Sequence, residues 1–132
     1  MLHSLSILLI STLVFFVQCN SETRVRVGAD ILIERQLGLL QNKRVGLITN
    51  HTGQLSSGGF LVDTLVARGI NVVALFGPEH GVRGVAAAGE SVHDSVDERT
   101  GIPILSLYGK TKKPTPAMLK NVDVLVYDIQ DV

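Results

Sequence analysis

The sequence predicts an α/β domain, a Rossmann-like parallel sheet with flanking helices, and three observations predict it. Short apolar runs of strand length recur at Val45–Thr49, Val72–Phe76, Ile104–Leu107 and Val124–Ile129. Between them lie stretches with helical spacing or a helix-starting proline, the alternation expected of strand–helix–strand units. The runs are apolar on every residue or nearly so, as in strands covered on both faces, rather than alternating. Right-handed crossovers then keep all four strands pointing the same way.

Taken in order, the chain opens on an apolar run from Leu5 to Val17, interrupted only by Ser6, Ser11 and Thr12. A membrane-spanning helix takes about 20 apolar residues, so this run suits the core of a secretory signal better than a span. Residues 1–19 are therefore read as a signal peptide, although the first six residues hold His3 and no Lys or Arg. A core helix or an uncleaved anchor is the alternative. Cys19 is the only cysteine, so no intrachain disulfide can form. Its position just after the run suits a lipoprotein processing site, with Cys19 as the lipid-bearing first residue. The preceding Phe16-Val17-Gln18 departs from the small-residue pattern, and a cysteine discarded with the signal is the other reading. The expected location is outside the cytoplasm: periplasmic, membrane-anchored as a lipoprotein, or secreted.

Residues 27–132 form the folded part. Ile31, Leu32, Leu37, Leu39 and Leu40 give a helical pattern, with Asp30 as a plausible N-cap. After the first strand and the Gln54–Gly59 turn, Phe60, Leu61, Leu65 and Val66 sit at helical spacing, and Gly69 suits the position just past the helix end. The segment from Gly77 to about Gly101 reads as a long loop, in which His93, Asp94, Asp97 and Glu98 are taken as solvated. Pro116–Lys120 reads as a short helix with proline in its first turn. The chain stops at Val132 with no helix to cover the fourth strand, so the sheet is read as incomplete at the C-terminus and the chain as an N-terminal fragment.

Composition narrows the function. Twelve basic and twelve acidic residues cancel, with no basic stripe, so nucleic acid is not an expected partner. No Gly-x-Gly-x-x-Gly follows the first strand and no phosphate-loop motif occurs, which sets nucleotide binding aside. There is no His-Glu-x-x-His and no zinc-type Cys/His spacing, so no metal or other cofactor is expected.

Ligands of open α/β sheets bind beyond the carboxyl ends of the strands. Those ends here run into Asn50-His51-Thr52-Gly53, Gly77-Pro78-Glu79-His80-Gly81-Val82-Arg83-Gly84, Tyr108-Gly109, and Asp128 with Gln130 beyond. Asn50 and His51 offer an amide and an imidazole, although Asn50 and Gly53 also suit a plain turn. Glu79 follows a rigid proline and is flanked, with His80, by glycines that let backbone pass close to a ligand. A partly desolvated glutamate there has a raised pKa and suits a general acid. Its alternative is a solvated carboxylate paired with His80 or Arg83. Arg83 can fork onto a substrate carboxylate or make an internal ion pair with Glu79 or Glu90. Tyr108 can stack on a sugar ring or simply pack. Asp128 and Gln130 lie on one side of the fourth strand by alternation.

These motifs, in this order and spacing, resemble the bacterial exo-β-N-acetylmuramidase family (NamZ type). The resemblance rests on Gly46–Gly53, Phe76–Gly84, Ser106–Gly109 and Val126–Val132 and covers roughly residues 27 to 132. It implies a glycoside hydrolase that removes terminal N-acetylmuramic acid from the non-reducing ends of peptidoglycan fragments. It also implies an active-site cleft between this Rossmann-like domain and a smaller C-terminal one. The glutamate of the Pro-Glu-His-Gly motif is the family's proposed catalytic residue, which is Glu79 here. Asn50, His51, His80, Arg83 and Asp128 match other polar motif positions. Glu79 is expected as acid or acid/base and Asp128 as the second carboxyl group, with Asn50, His51, His80, Arg83, Tyr108 and Gln130 binding substrate. A non-catalytic cell-wall sugar-binding module and a metal-dependent hydrolase are the competing classes.

Overall fold

The computed structural model describes residues 25–78, 81–84 and 94–130. The apolar N-terminal run with Cys19, and Glu79, His80 and His93 of the long loop, lie outside the described residues.

The first helix is a composite. An α-helical turn, α1 (Gly28–Ile31), passes into a wide π turn at Leu32–Gln36 and a tight 3-10 turn at Leu37–Leu40. Gly38 in that last turn is a poor helix former. Asp30 is not the cap expected of it: Val27 holds the cap position and Asp30 sits buried in the first turn. Its Oδ1 accepts the backbone N–H of Ser56 at 3.0 Å, so the carboxylate ties α1 to the turn before the next helix.

That second helix, α2 (Leu61–Ala67), ends as the sequence predicts. Gly69 adopts φ +75°. Its N–H donates to Val66 O at 2.9 Å, and the Ile70 N–H donates to Leu65 O at 3.0 Å. This is the double closure of a left-handed glycine cap, with Leu65 and Ile70 both buried beside it.

Among the described residues, five strands form one sheet: β1 (Val45–Thr49), β2 (Val72–Gly77), β3 (Ser95–Val96), β4 (Pro103–Ser106) and β5 (Val124–Asp128). The order across the sheet is β3-β4-β2-β1-β5. The four expected strands pair parallel, β2 and β5 flanking β1 and β4 lying outside β2. β3 is an addition, a two-residue antiparallel edge cut from the expected loop.

Apolar side chains fill both faces. Val45, Leu47 and Leu75 pack under α1 and α2 with Ile33, Leu40, Leu61 and Leu65. Ile48, Ala74 and Phe76 face the other way, against Leu107, Met118, Leu119 and Val122. Gly46 is required on that second face: a Cβ there would stand 2.9 Å from the Phe76 ring and 3.1 Å from both Leu125 and Val122. The expected helix at Pro116–Lys120 is a run of turns instead. One N–H, Leu119 to Thr115 O at 3.1 Å, closes a helical ring, and the next turns close as Lys120 to Ala117 and Val122 to Leu119. Pro114 and Pro116 bias Lys113 and Thr115 toward extended backbone, and the run that follows is too short for a helix to propagate. Met118 and Leu119 still cover the sheet. β5 is half-buried in alternation, with Leu125 and Tyr127 exposed.

Candidate functional site at the strand exits

The sheet order fixes where a ligand can enter. From β1 the chain moves to β2 and β4 on one side, and β5 is then laid on the other side of β1. The carboxyl ends of β1 and β5 therefore flank a topological switch point, the usual crevice of open α/β sheets. Thr49 and Asp128, the last residues of the two strands, are register partners there.

The loop after β1 is wired to the exit of β5. Asn50 Oδ1 accepts the Thr52 N–H at 3.0 Å and lies 2.6 Å from Thr52 Oγ1. Thr52 Oγ1 in turn accepts the Gln130 N–H at 3.0 Å and sits 2.8 Å from Gln130 O. Gln130 Nε2 donates to Gln54 O at 3.0 Å, and Gln54 Nε2 donates to His51 O at 2.9 Å. The two exits thus form one hydrogen-bonded unit. Thr52 was not a sequence candidate; its signal was its place between an amide and a glycine after a buried strand.

Asp128 is the unusual group. Its Oδ2 is buried and has no hydrogen-bond partner among the described residues. Burial raises its pKa above the ordinary carboxylate value, because desolvation penalises the charged form. Gly53 makes room for it: a Cβ at Gly53 would overlap Thr49 Oγ1 and come within 3.2 Å of Asp128 Oδ2.

The loop after β2 is anchored at its start. Gly77 O accepts the Leu107 N–H at 2.8 Å, and Pro78 O accepts the Gly81 N–H at 2.9 Å. Val82 is buried in the main core. Gly84, at φ +71°, lies so close to His51 that a Cβ there would stand 2.7 Å from the His51 Cβ. The first two loops therefore touch, while strand register and the Thr52–Gln130 hydrogen bonds hold the loop of Asn50 and His51 against the exit of Asp128 and Gln130.

Arg83 is held inside the fold. Nε and Nη2 donate to Asp97 Oδ1 and Oδ2 at 2.9 and 2.8 Å. Nη1 and Nη2 donate to Asp63 Oδ2 and Oδ1 at 3.0 and 2.7 Å. Its guanidinium carbon also lies 4.8 Å from the centre of the Phe60 ring. Of the two sequence readings the internal ion pair is the one built, with Asp63 and Asp97 as partners. Asp97 corrects another expectation: it is buried, not solvated, and hydrogen bonds from Arg83, then Thr100, hold its carboxyl below the ordinary range against the desolvation that burial brings. Asp94 and Glu98 are exposed as expected.

Tyr108 is half-buried at the exit of β4. Its N–H donates to Ser106 Oγ at 3.1 Å. Three strand spacings, about 14 Å along the sheet at roughly 4.8 Å each, separate that exit from β5. It borders the same edge at the far end of the row. A shallow depression beside Arg35, Gln36, Gly38 and Leu39 lies on the composite helix, away from all strand exits.

Comparison with known proteins agrees with this fold. Residues 45–132 match the family described as exo-beta-N-acetylmuramidase NamZ, N-terminal. The chain is 53% identical over 116 residues to the peptidoglycan beta-N-acetylmuramidase NamZ of Bacillus subtilis (strain 168), covering 87% of this chain. It spans 28% of that relative's length. A crystal structure of a DUF1343 family protein from Bacteroides fragilis NCTC 9343 superposes with a TM-score of 0.70 at 53% identity, covering 81% of this chain and 26% of that one. A second DUF1343 protein from the same organism gives a TM-score of 0.65 at 40% identity, over 83% and 27% of the two chains.

Proposed function

The chain belongs to the exo-β-N-acetylmuramidase NamZ family through the N-terminal domain matched over residues 45–132, and on that premise we propose that the protein is a glycoside hydrolase. Its substrate is terminal N-acetylmuramic acid at the non-reducing ends of peptidoglycan fragments. The observation that carries the reading is the half-buried Asp128 at the switch point, whose buried Oδ2 has no hydrogen-bond partner among the described residues, beside Asn50 and Gln130.

Glycoside hydrolysis generally uses two carboxyl groups about an oxocarbenium-like transition state. Glu79 takes the role of acid or acid/base, protonating the leaving oxygen. Asp128 is the second group. Desolvation biases it toward the neutral form. Positive charge developing on the sugar favours its carboxylate form, so its attraction is greatest in the transition state, where it accelerates the reaction. Asn50, His51, His80, Tyr108 and Gln130 bind the sugar, and Arg83 positions the loop that carries Glu79 and His80. A further C-terminal domain supplies the opposite wall of the cleft. The apolar leader directs export, with Cys19 as a lipid anchor on the outer face of the membrane.

The test is hydrolysis of a chromogenic N-acetylmuramic acid glycoside by the full-length protein, before and after exhaustive chelation. Release of free N-acetylmuramic acid in both conditions supports the reading. Binding without release favours a sugar-binding module, and loss of release on chelation favours a metal-dependent hydrolase.

A further inference from the structure

The Asn50 amide has a fixed polarity. The Thr52 backbone N–H, 3.0 Å from Asn50 Oδ1, can only donate, so the oxygen and not the amino group must face it. Thr52 Oγ1 occupies the same oxygen at 2.6 Å. Among the described residues Nδ2 makes no hydrogen bond, and Asn50 remains half-exposed at the β1 exit beside the switch point. The hydroxyl of Thr52 is itself held by the Gln130 backbone, so the orientation is set by two strand exits at once.

We infer that Asn50, latched by Thr52, is a hydrogen-bond donor of fixed polarity that presents its Nδ2 amino group to an acceptor oxygen of the sugar. This rests on the muramidase reading and deepens it. The acceptor is an uncharged carbonyl or hydroxyl oxygen, or a carboxylate. N-acetylmuramic acid offers both kinds, in its acetamido and lactyl groups. Thr52 is a positioning residue: it touches no ligand and acts by preventing the amide from flipping.

The experiment compares wild-type full-length protein with Asn50→Asp, Thr52→Val and Thr52→Ser. The readouts are KM and kcat on the chromogenic glycoside, and calorimetric Kd for N-acetylmuramic acid and N-acetylglucosamine. Asn50→Asp keeps the oxygen that Thr52 binds and replaces the donor by an acceptor. It raises KM and Kd by about tenfold or more, as expected when an acceptor loses its hydrogen bond. Thr52→Val gives a smaller rise in KM, and Thr52→Ser, which keeps the hydroxyl, restores wild-type values. A loss shared by both sugars assigns the acceptor to the common part of the ring or the acetamido group. A loss confined to N-acetylmuramic acid assigns it to the lactyl carboxylate. Both results support the donor role. Wild-type KM and Kd in Asn50→Asp overturn it, and a Thr52→Ser variant as impaired as Thr52→Val overturns the latch. A wild-type protein that binds and cleaves neither sugar would instead sink the muramidase reading, and this inference with it.

Discussion

Arg83 and Asp97 meet through two parallel hydrogen bonds, Nε to Oδ1 at 2.9 Å and Nη2 to Oδ2 at 2.8 Å, and Asp97 is almost wholly buried. The same guanidinium spans Asp63 on α2. One side chain thereby joins the loop after β2, the segment after β3 and the helix behind β1. A planar fork is needed for this, because a lysine ammonium cannot address two carboxylates through four bonds at once.

Arg83→Ala therefore strands the buried Asp97 carboxylate and costs about 3–5 kcal/mol of folding stability, the range for breaking a buried pair. Arg83→Lys recovers only part of it. Urea unfolding of the three proteins checks the order. Arg44 and Asp123 form a comparable pair at 2.7 Å, but both are exposed, and Arg44 with its backbone N–H lowers the Asp123 pKa to about 2. Asp123→Asn gives a smaller loss, and added salt diminishes it.

Asp97 and Asp128 respond to pH in opposite directions. Asp97 has a folded pKa below its unfolded value, so its contribution is present above the ordinary carboxylate range and is lost as pH falls through the folded value. Asp128 has a raised folded pKa, so the folded state holds its proton longer than the unfolded state. Its effect is a loss of stability as pH rises from the ordinary carboxylate range through the raised value. Asp128→Asn removes that loss and flattens the stability profile on the neutral side, while Asp97→Asn flattens the acid side. Thermal melts of both variants across pH 3 to 8, on the order of the span set by carboxylate titration, give the comparison.

Gly53 is held to glycine by space, since a Cβ there meets Thr49 Oγ1 and the Asp128 carboxyl. Gly53→Ala costs about 1–3 kcal/mol through overpacking. The penalty shrinks in a Thr49→Ala background, which removes the overlapping hydroxyl. A double-mutant cycle by urea unfolding measures that coupling.

Phe76 is fully buried on the second face of the sheet, its ring lying over Gly46. Phe76→Ala costs about 3–5 kcal/mol. Gly46→Val also destabilises the domain, because the added side chain needs the volume the ring occupies. Both effects are read as shifts in unfolding midpoint.

β1 and β2 were legible because burial on both faces leaves a nearly unbroken apolar run, whereas β5 is as apolar in sequence yet exposes Leu125 and Tyr127. β1 is buried at every position, and β2 differs from its expected span only by the added Gly77. The glycine cap after α2 was legible because the left-handed position is a local demand. The composite first helix was not, because Asp30 serves a residue 26 positions away and not its own helix start. The turns at Pro116–Lys120 were misread because a proline suits a helix start, but so short a run does not reach a stable helical nucleus. The partners of Arg83 lie 14 and 20 residues off along the chain, on elements that only the folded sheet brings together. The switch-point group of Asn50, Asp128 and Gln130 was legible from topology alone, since all strand exits of a parallel sheet share one edge. Thr52 was missed because its role is to hold Asn50 and Gln130, a job visible only once both exits are in place.

The most direct test of the central claim is the activity of Glu79→Gln and Asp128→Asn full-length variants on the chromogenic N-acetylmuramic acid glycoside, with binding of the sugar measured alongside. The account predicts a fall in kcat of at least about a hundredfold in each, the scale of losing a general acid or a charge-stabilising group, with Kd little changed. Wild-type kcat in both variants would contradict it and place the catalytic groups on other residues of the full-length protein.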